Sequence, residues 1–165
     1  IQTNTKTFED VLDAVKNKGL KVTAPNKGDS FEIGRAKCEV MTDSILNKDN
    51  LNLSSIVIRL EFENNSFLFM GDAETANEKT RTWMKTDVLK VGHHGSNTSS
   101  SEDFLKQINP TYAVIMAGKN NSYGLPKQKI LDRLTKIGAK VYRTDEEGTI
   151  MMISNGINIE VKENT

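Results

Sequence analysis

Four short apolar runs constrain this chain most, because each stops at a turn or a glycine and the later ones alternate with helical patterns. SSIVIRLEFE (54–63) and SFLFMGD (66–72) alternate apolar and polar residues around Asn64-Asn65, which predicts an antiparallel hairpin. DVLKVG (87–92) and TYAVIMAG (111–118) are nearly continuous in their apolar residues and read as buried strands. Between them the spacing predicts a helix from Ala73 to about Lys85. Ser99 and Glu102 form a capping box ahead of a second helix, FLKQI, closed by Pro110. A third helix runs from Pro126 to about Ile137, and KVYRT, TIMMIS and INIEV supply three last strands. Upstream, Thr5 or Thr7 caps a helix reaching about Lys18, with Phe8, Val11, Leu12 and Val15 on one face and Gly19 as its stop; FEIG and AKCEVMT then read as strands. The first half is thus rich in antiparallel signals and the second alternates strand with helix. The expected class is α/β or mixed α+β, as a single domain over residues 1–165.

Composition removes several function classes. Lys plus Arg and Asp plus Glu both number 22, so no net field draws the chain to nucleic acid or a membrane surface, and an acidic substrate must be held by local groups. No apolar run approaches the roughly 20 residues of a membrane span, and the start IQTNTKTFED has no signal-peptide core. The single cysteine, Cys38, has no internal partner and reads as a buried strand thiol. The chain opens without methionine and enters a helix almost at once, which suggests a piece of something longer.

Only two histidines exist, and both fall in Gly92-His93-His94-Gly95 at the end of one apolar run, while Asp72 follows Gly71 at the end of another. Polar side chains at strand ends collect at the carboxyl edge of a sheet, where open α/β sheets bind ligands. Glycines on both sides permit the tight turns that let Asp72 and the histidines converge. On an extended strand, adjacent histidines point to opposite faces, so one of the pair would reach a given metal and the other would act behind it or as an acid. An Asp after a strand glycine is also a common turn former. The coincidence at two strand ends, with Ser96, Thr98 and Ser99 just beyond, favours a metal or catalytic site over two unrelated turns. Asp and His suit zinc or manganese, and a second cysteine for a thiolate site is lacking. A serine nucleophile at Ser96 or Ser99 ranks lower, because no G-x-S-x-G turn is present and Ser99 is explained as a cap. A third stretch, AGKNNSYGLPKQ (117–128), follows another buried strand, so Lys119, Asn120, Asn121 and Tyr123 are candidates for phosphate or sugar contact, a plain solvated turn being the alternative. The Met pair of TIMMIS and Trp83 read as core or packing residues.

These stretches resemble the later part of the metallo-β-lactamase fold, in the branch found as the hydrolase-like domain of ComEC-type DNA-uptake channels and their stand-alone relatives. FLFMGDAE resembles the strand whose Asp bridges two metals, DVLKVGHHGSNTSS resembles the most characteristic motif, and NNSYG and TDEEGTI resemble later signatures; the overlap runs from about Ser54 to Ile150. Two departures limit the carry-over. The family's first metal motif, His-x-His-x-Asp-His, occurs nowhere in these residues, and Leu125 stands where relatives commonly carry a histidine in Gly-His-Pro. The resemblance implies an αββα sandwich, represented mainly by its second half. It also implies two metal ions, zinc or manganese, in the intact protein, with Asp72 bridging and His93 or His94 completing one site. Such a centre would activate water against a phosphoryl or carbonyl group, and a phosphodiester fits best, whether nucleic acid or a phosphocholine-type ester. Two protein ligands fall short of the about four a structural zinc site takes, so the expectation is a truncated, inactive piece that binds metal weakly or not at all. The alternative is a non-catalytic binding or scaffolding module that has lost the metals. Missing its first half, the chain would expose an inner sheet face and associate as a homodimer. Relatives that are mostly membrane-attached or exported imply an extracellular or cell-surface location.

Overall fold

Seven of the nine predicted strands pair in chain order into one sheet. In a computed structural model, which describes residues 5–43, 47 and 49–162, β1 (Ser30–Ile33), β2 (Ala36–Val40), β3 (Ile58–Phe62), β4 (Asn65–Phe69), β5 (Val88–Lys90), β6 (Tyr112–Ile115) and β7 (Lys140–Arg143) lie side by side in that order. Pairings from β1 to β4 are antiparallel and those from β4 to β7 are parallel. The change of sense follows the connections, since a two-residue turn can only reverse the chain and a parallel neighbour needs a longer crossover. A separate ladder pairs β8 (Met151–Ser154) with β9 (Ile159–Lys162). The helices are α1 (Lys6–Asn17), α2 (Thr75–Glu78), α3 (Glu102–Ile108), α4 (Gln128–Lys136) and α5 (Thr144–Glu147). The mixed α/β class expected from the sequence is therefore observed.

The core forms on one face of the sheet. Leu68, Leu89, Ala113 and Ile115 point to that side and bury against Phe104, Leu105 and Ile108 of α3, Ile130 and Leu134 of α4, and Trp83. Each fully buried Leu, Ile or Phe contributes about 1.5–3 kcal/mol, which makes this layer the main source of stability. Trp83 meets Phe104 edge-on, with ring centroids 5.2 Å apart. By strand alternation, Phe67, Phe69, Lys90 and Val114 face the opposite side. There they line, with Ile150 and Met152, a groove of about 500 Å³. Cys38 is buried, and burial pushes its thiol up from the ordinary value, as a packed strand thiol should behave.

Helix α1 obeys its local signals. Thr5 Oγ1 accepts from the Phe8 amide, and Gly19, at φ +62°, ends the helix while Leu20 N–H bonds the Val15 carbonyl. None of its residues is buried.

Several expectations are corrected. The turn between β3 and β4 consists of Glu63 and Asn64, because Asn65 pairs with Phe62 and is held by the β8–β9 hairpin: its amide donates to the Ile157 carbonyl and its Oδ1 accepts from Ser154 Oγ at 2.6 Å. The helix expected from Ala73 to Lys85 stops after Glu78. Trp83 is drawn into the core, where its indole N–H takes the Glu78 carbonyl at 2.6 Å and its amide donates to Gln107 Oε1, and a continuous helix would not allow both. Ser101, not Ser99, caps α3 by accepting from the Phe104 amide, while Ser99 Oγ donates to the Gly92 carbonyl at 2.8 Å. The short helix α5 lay unread in TDEE. Met152 lines the sheet groove, whereas Met151 is 54% exposed and outside the core.

Candidate metal centre

Because β4, β5 and β6 are parallel, their carboxyl ends share one rim. That rim carries Gly71-Asp72, the turn Gly92–Gly95, and Met116. Gly92 is needed for closeness: a Cβ there would lie 2.7 Å from the Ala73 carbonyl oxygen, so the two strand ends meet backbone to backbone. The Gly71 carbonyl accepts the His93 amide at 3.1 Å and fixes the start of the histidine turn.

The histidines do not occupy an extended strand, contrary to the sequence-based expectation. His93 (φ 45°, ψ 46°) and His94 (φ 53°, ψ 24°) are both left-handed, in a tight 3-10 turn. This conformation is uncommon for residues with a side chain, and histidine is among the types that tolerate it. The rings therefore do not alternate across a sheet; their centroids lie 6.3 Å apart at 63°, and each has a separate carboxylate.

His94 pairs with Asp72. Its Nδ1 lies 2.6 Å from the Met116 carbonyl oxygen, which can only accept, so Nδ1 carries the proton. In the neutral ring the Nε2 lone pair then faces Asp72 Oδ1 at 3.4 Å. Two acceptors confronting one another are satisfied by a proton on Nε2 or by a shared cation. The donor types, one imidazole nitrogen and one carboxylate oxygen, fit zinc or manganese. The spacing fits as well, because neighbouring donors of a tetrahedral zinc with bonds of roughly 2.0–2.1 Å stand about 3.3–3.4 Å apart. A ring whose other nitrogen is held by a carbonyl is also the usual orientation of a metal-binding histidine. Among the described residues no group of three or more His, Cys, Asp or Glu side chains is placed to share an ion, and Asp72 and His94 alone fall short of the about four ligands a structural zinc site takes.

His93 is engaged differently. Its Nδ1 lies 3.2 Å from Glu74 Oε1 and 3.0 Å from Thr98 Oγ1, and its Nε2 faces the Asn52 amide nitrogen at 3.3 Å. Both ring nitrogens thus have protein partners. Glu74 gathers the cluster: Oε1 accepts from Asn52 and Thr98, and Oε2 accepts from Asn50. Burial pushes the Glu74 carboxyl up, but hydrogen bonds from Asn52, Asn50 and Thr98, together with the nearby His93, hold it below its usual value. Sequence reasoning passed over Glu74 and Asn52. The only available signal was the spacing in GDAE, which puts Glu74 two positions after Asp72.

The remaining candidates are placed as follows. Ser96 turns back within its own loop, with Oγ 3.3 Å from Thr98 Oγ1. Asn121 closes its loop, donating to the Gly118 and Leu125 carbonyls and accepting the Leu125 amide, so it shapes the loop and is not free to hold a ligand. Lys119, Asn120 and Tyr123 are exposed, Tyr123 by 77%. Their loop leaves β6 just after Met116, the residue bonded to His94, and docks on the histidine turn through Lys127 N–H to the Gly95 carbonyl at 3.0 Å.

The metallo-beta-lactamase superfamily model matches residues 10–119. The chain belongs to the metallo-beta-lactamase superfamily. It is a ComEC-type member, similar over 146 residues to the ComE operon protein 3 of Bacillus subtilis, at 38% identity, a match covering 86% of this chain and 19% of the relative. It is 42% identical over 101 residues to Recombination protein 2 of Haemophilus influenzae, covering 60% of the chain and 13% of the relative. Competence protein ComA of Neisseria gonorrhoeae is 36% identical over 104 residues, covering 60% and 15%. The chain therefore spans less than a fifth of the length of these superfamily relatives.

Proposed function

We propose that this chain is part of a divalent-metal-dependent hydrolase acting on phosphodiesters, nucleic acid or phosphocholine-type esters, with Asp72 and His94 as metal ligands. The observation that carries this is the convergence of Asp72 Oδ1 and His94 Nε2 at 3.4 Å, with His94 Nδ1 fixed on the Met116 carbonyl. A metal pair at this rim would activate water and offset negative charge developing on the substrate. Asp72 presents its carboxylate from the end of β4. His94 is held in the tautomer that offers Nε2. His93, with Nδ1 on Glu74 and Thr98, acts behind the metal ligands as an orienting group and is the candidate proton carrier once Asn52 moves aside. Exposed Lys119, Asn120 and Tyr123 supply charge and hydrogen bonds to the substrate's phosphate or sugar, with Ser96 at the edge of the same loop cluster. The remaining ligands come from outside these 165 residues, so the chain alone is expected to lack hydrolytic activity.

Zinc titration followed by NMR of the histidine rings and of the Asp72 amide tests the assignment. Expected are selective shifts of His94 Nε2 and Asp72 at millimolar zinc, lost in Asp72→Asn, with His93 little changed. Equal response of both rings, or none, would overturn it. In a longer polypeptide carrying the complete ligand set, Asp72→Ala should abolish hydrolysis of a phosphodiester. The competing reading, a scaffolding module without metals, predicts no zinc or manganese in that polypeptide and no effect of chelators on its melting temperature.

A further inference from the structure

We propose that Lys90 is the positioning residue of this rim, its ammonium fixing the backbone node from which Asp72 and the histidine turn both depart. Lys90 ends β5 and lies in the groove with Phe67, Phe69, Val114 and Met116. A long cationic side chain in apolar surroundings gives up both hydration and rotamer freedom, so its polar contacts must compensate. Its Nζ donates to the Gly71 carbonyl at 2.9 Å and to the Val91 carbonyl at 3.4 Å. Gly71 immediately precedes Asp72, and its carbonyl also accepts the His93 amide. One oxygen therefore collects a donor from the β5 side chain and a donor from the histidine turn, and Val91 is the residue from which that turn starts. Gly71, at φ +56°, is in the left-handed region, so its carbonyl direction is not set by regular strand pairing and needs these external donors. Burial pushes the lysine ammonium down from its ordinary value while the charge of Asp72 pushes it back up, in keeping with a cation drawn inward toward this carboxylate. The ammonium cannot itself be a metal ligand, and an apolar side chain would fill the groove at less cost, so neither the metal centre nor packing accounts for it. The catalytic sense of this contact rests on the metal-centre reading; the contact itself can be tested without metal.

The test compares wild type, Lys90→Met and Lys90→Arg by amide hydrogen exchange, with melting temperature as a control for folding. Lys90→Met keeps length and apolar packing but removes the donor. It should speed exchange of the His93 amide about tenfold, as expected when a local opening is eased by loss of one anchoring bond, while the Leu89 amide stays as in wild type. Lys90→Arg, which restores a donor and charge, should recover most of the protection. Unchanged His93 exchange in Lys90→Met, equal acceleration at Leu89 and His93, or an arginine variant no better than the methionine one would each overturn the proposal. Zinc binding by the wild type, measured separately, decides the metal reading: its absence would remove that reading and leave the exchange result standing for or against Lys90.

Discussion

At the scale of single residues, the arrangement answers why so few ionisable groups suffice to mark a site. Each histidine has its own carboxylate, Asp72 for His94 and Glu74 for His93, and the two pairs differ in surroundings. The Asp72–His94 pair is 41–45% exposed and available to a cation, whereas Glu74 is half-buried under three side-chain donors from two segments. A carboxyl held below its usual range stabilises the fold above its unfolded-state value, and that contribution disappears as pH falls through the folded-state value. Glu74→Ala should therefore destabilise the chain by roughly 1–3 kcal/mol at pH 7, the cost of leaving hydrogen-bond donors without a charged acceptor. The difference from wild type should shrink steadily below about pH 4, the ordinary glutamate range. Urea unfolding at a series of pH values measures this, and a difference that does not change with pH would contradict the assignment. The convergence of Asp72 and His94 was legible in the sequence, because strand-end polar residues bracketed by glycine have few places to go. Which histidine faces Asp72 was not legible, since it depends on two left-handed residues and on a carbonyl of Met116 that is 22 positions away.

Among the elements, local signals succeeded where the chain satisfies itself and failed where the core claims a residue. Thr5 and Gly19 delimit α1 from within, so its ends could be read. The stretch after α2 carries a helical pattern, yet Trp83 is buried against Phe104 and its indole bonds the Glu78 carbonyl, which ends the helix. The cap of α3 shifted from Ser99 to Ser101 for a related reason: the Ser99 hydroxyl is spent on the Gly92 carbonyl, tying the histidine turn to the start of the helix. The same turn is where a small change should do most harm. In Gly92→Ala the new Cβ would meet the Ala73 carbonyl oxygen at 2.7 Å, a backbone atom that cannot swing away, so the ends of β4 and β5 must part. The expected cost is about 1–3 kcal/mol, in line with overpacking at other tight sites. Thermal unfolding would record it, and zinc-induced shifts at His94 should be lost along with it. An alanine variant with wild-type stability would show that the rim is more yielding than its contacts indicate.

For the whole molecule, the sheet has one face packed by helices and one that is not. On the second face Phe69 is 41% exposed, Phe31 45%, Ile33 61% and Met116 at its rim 49%, while the β8–β9 hairpin reaches the turn between β3 and β4 and Ile150 and Met152 line the groove. Helix α1 adds a second uncovered apolar stripe, with Val11 and Leu12 exposed. Among the described residues no helix is long and apolar enough to cross a membrane. Monomers rarely leave apolar patches larger than a few hundred Å² in contact with water, and a specific interface buries at least about 1,000 Å² in total. A second copy set face to face could bury that much, since the strip from β1 to β6 is wide and its charged side chains lie mainly on the other side or at the ends. The 165-residue chain is therefore expected to sediment as a dimer or larger species. Phe69→Glu, which places a charge in the middle of this face without touching the core layer of Leu68 and Leu89, should shift the distribution toward monomer while retaining the folded spectrum. A wild-type chain that remains a clean monomer at high concentration would show that the exposed face is tolerated as it stands, and the self-association proposal would fall.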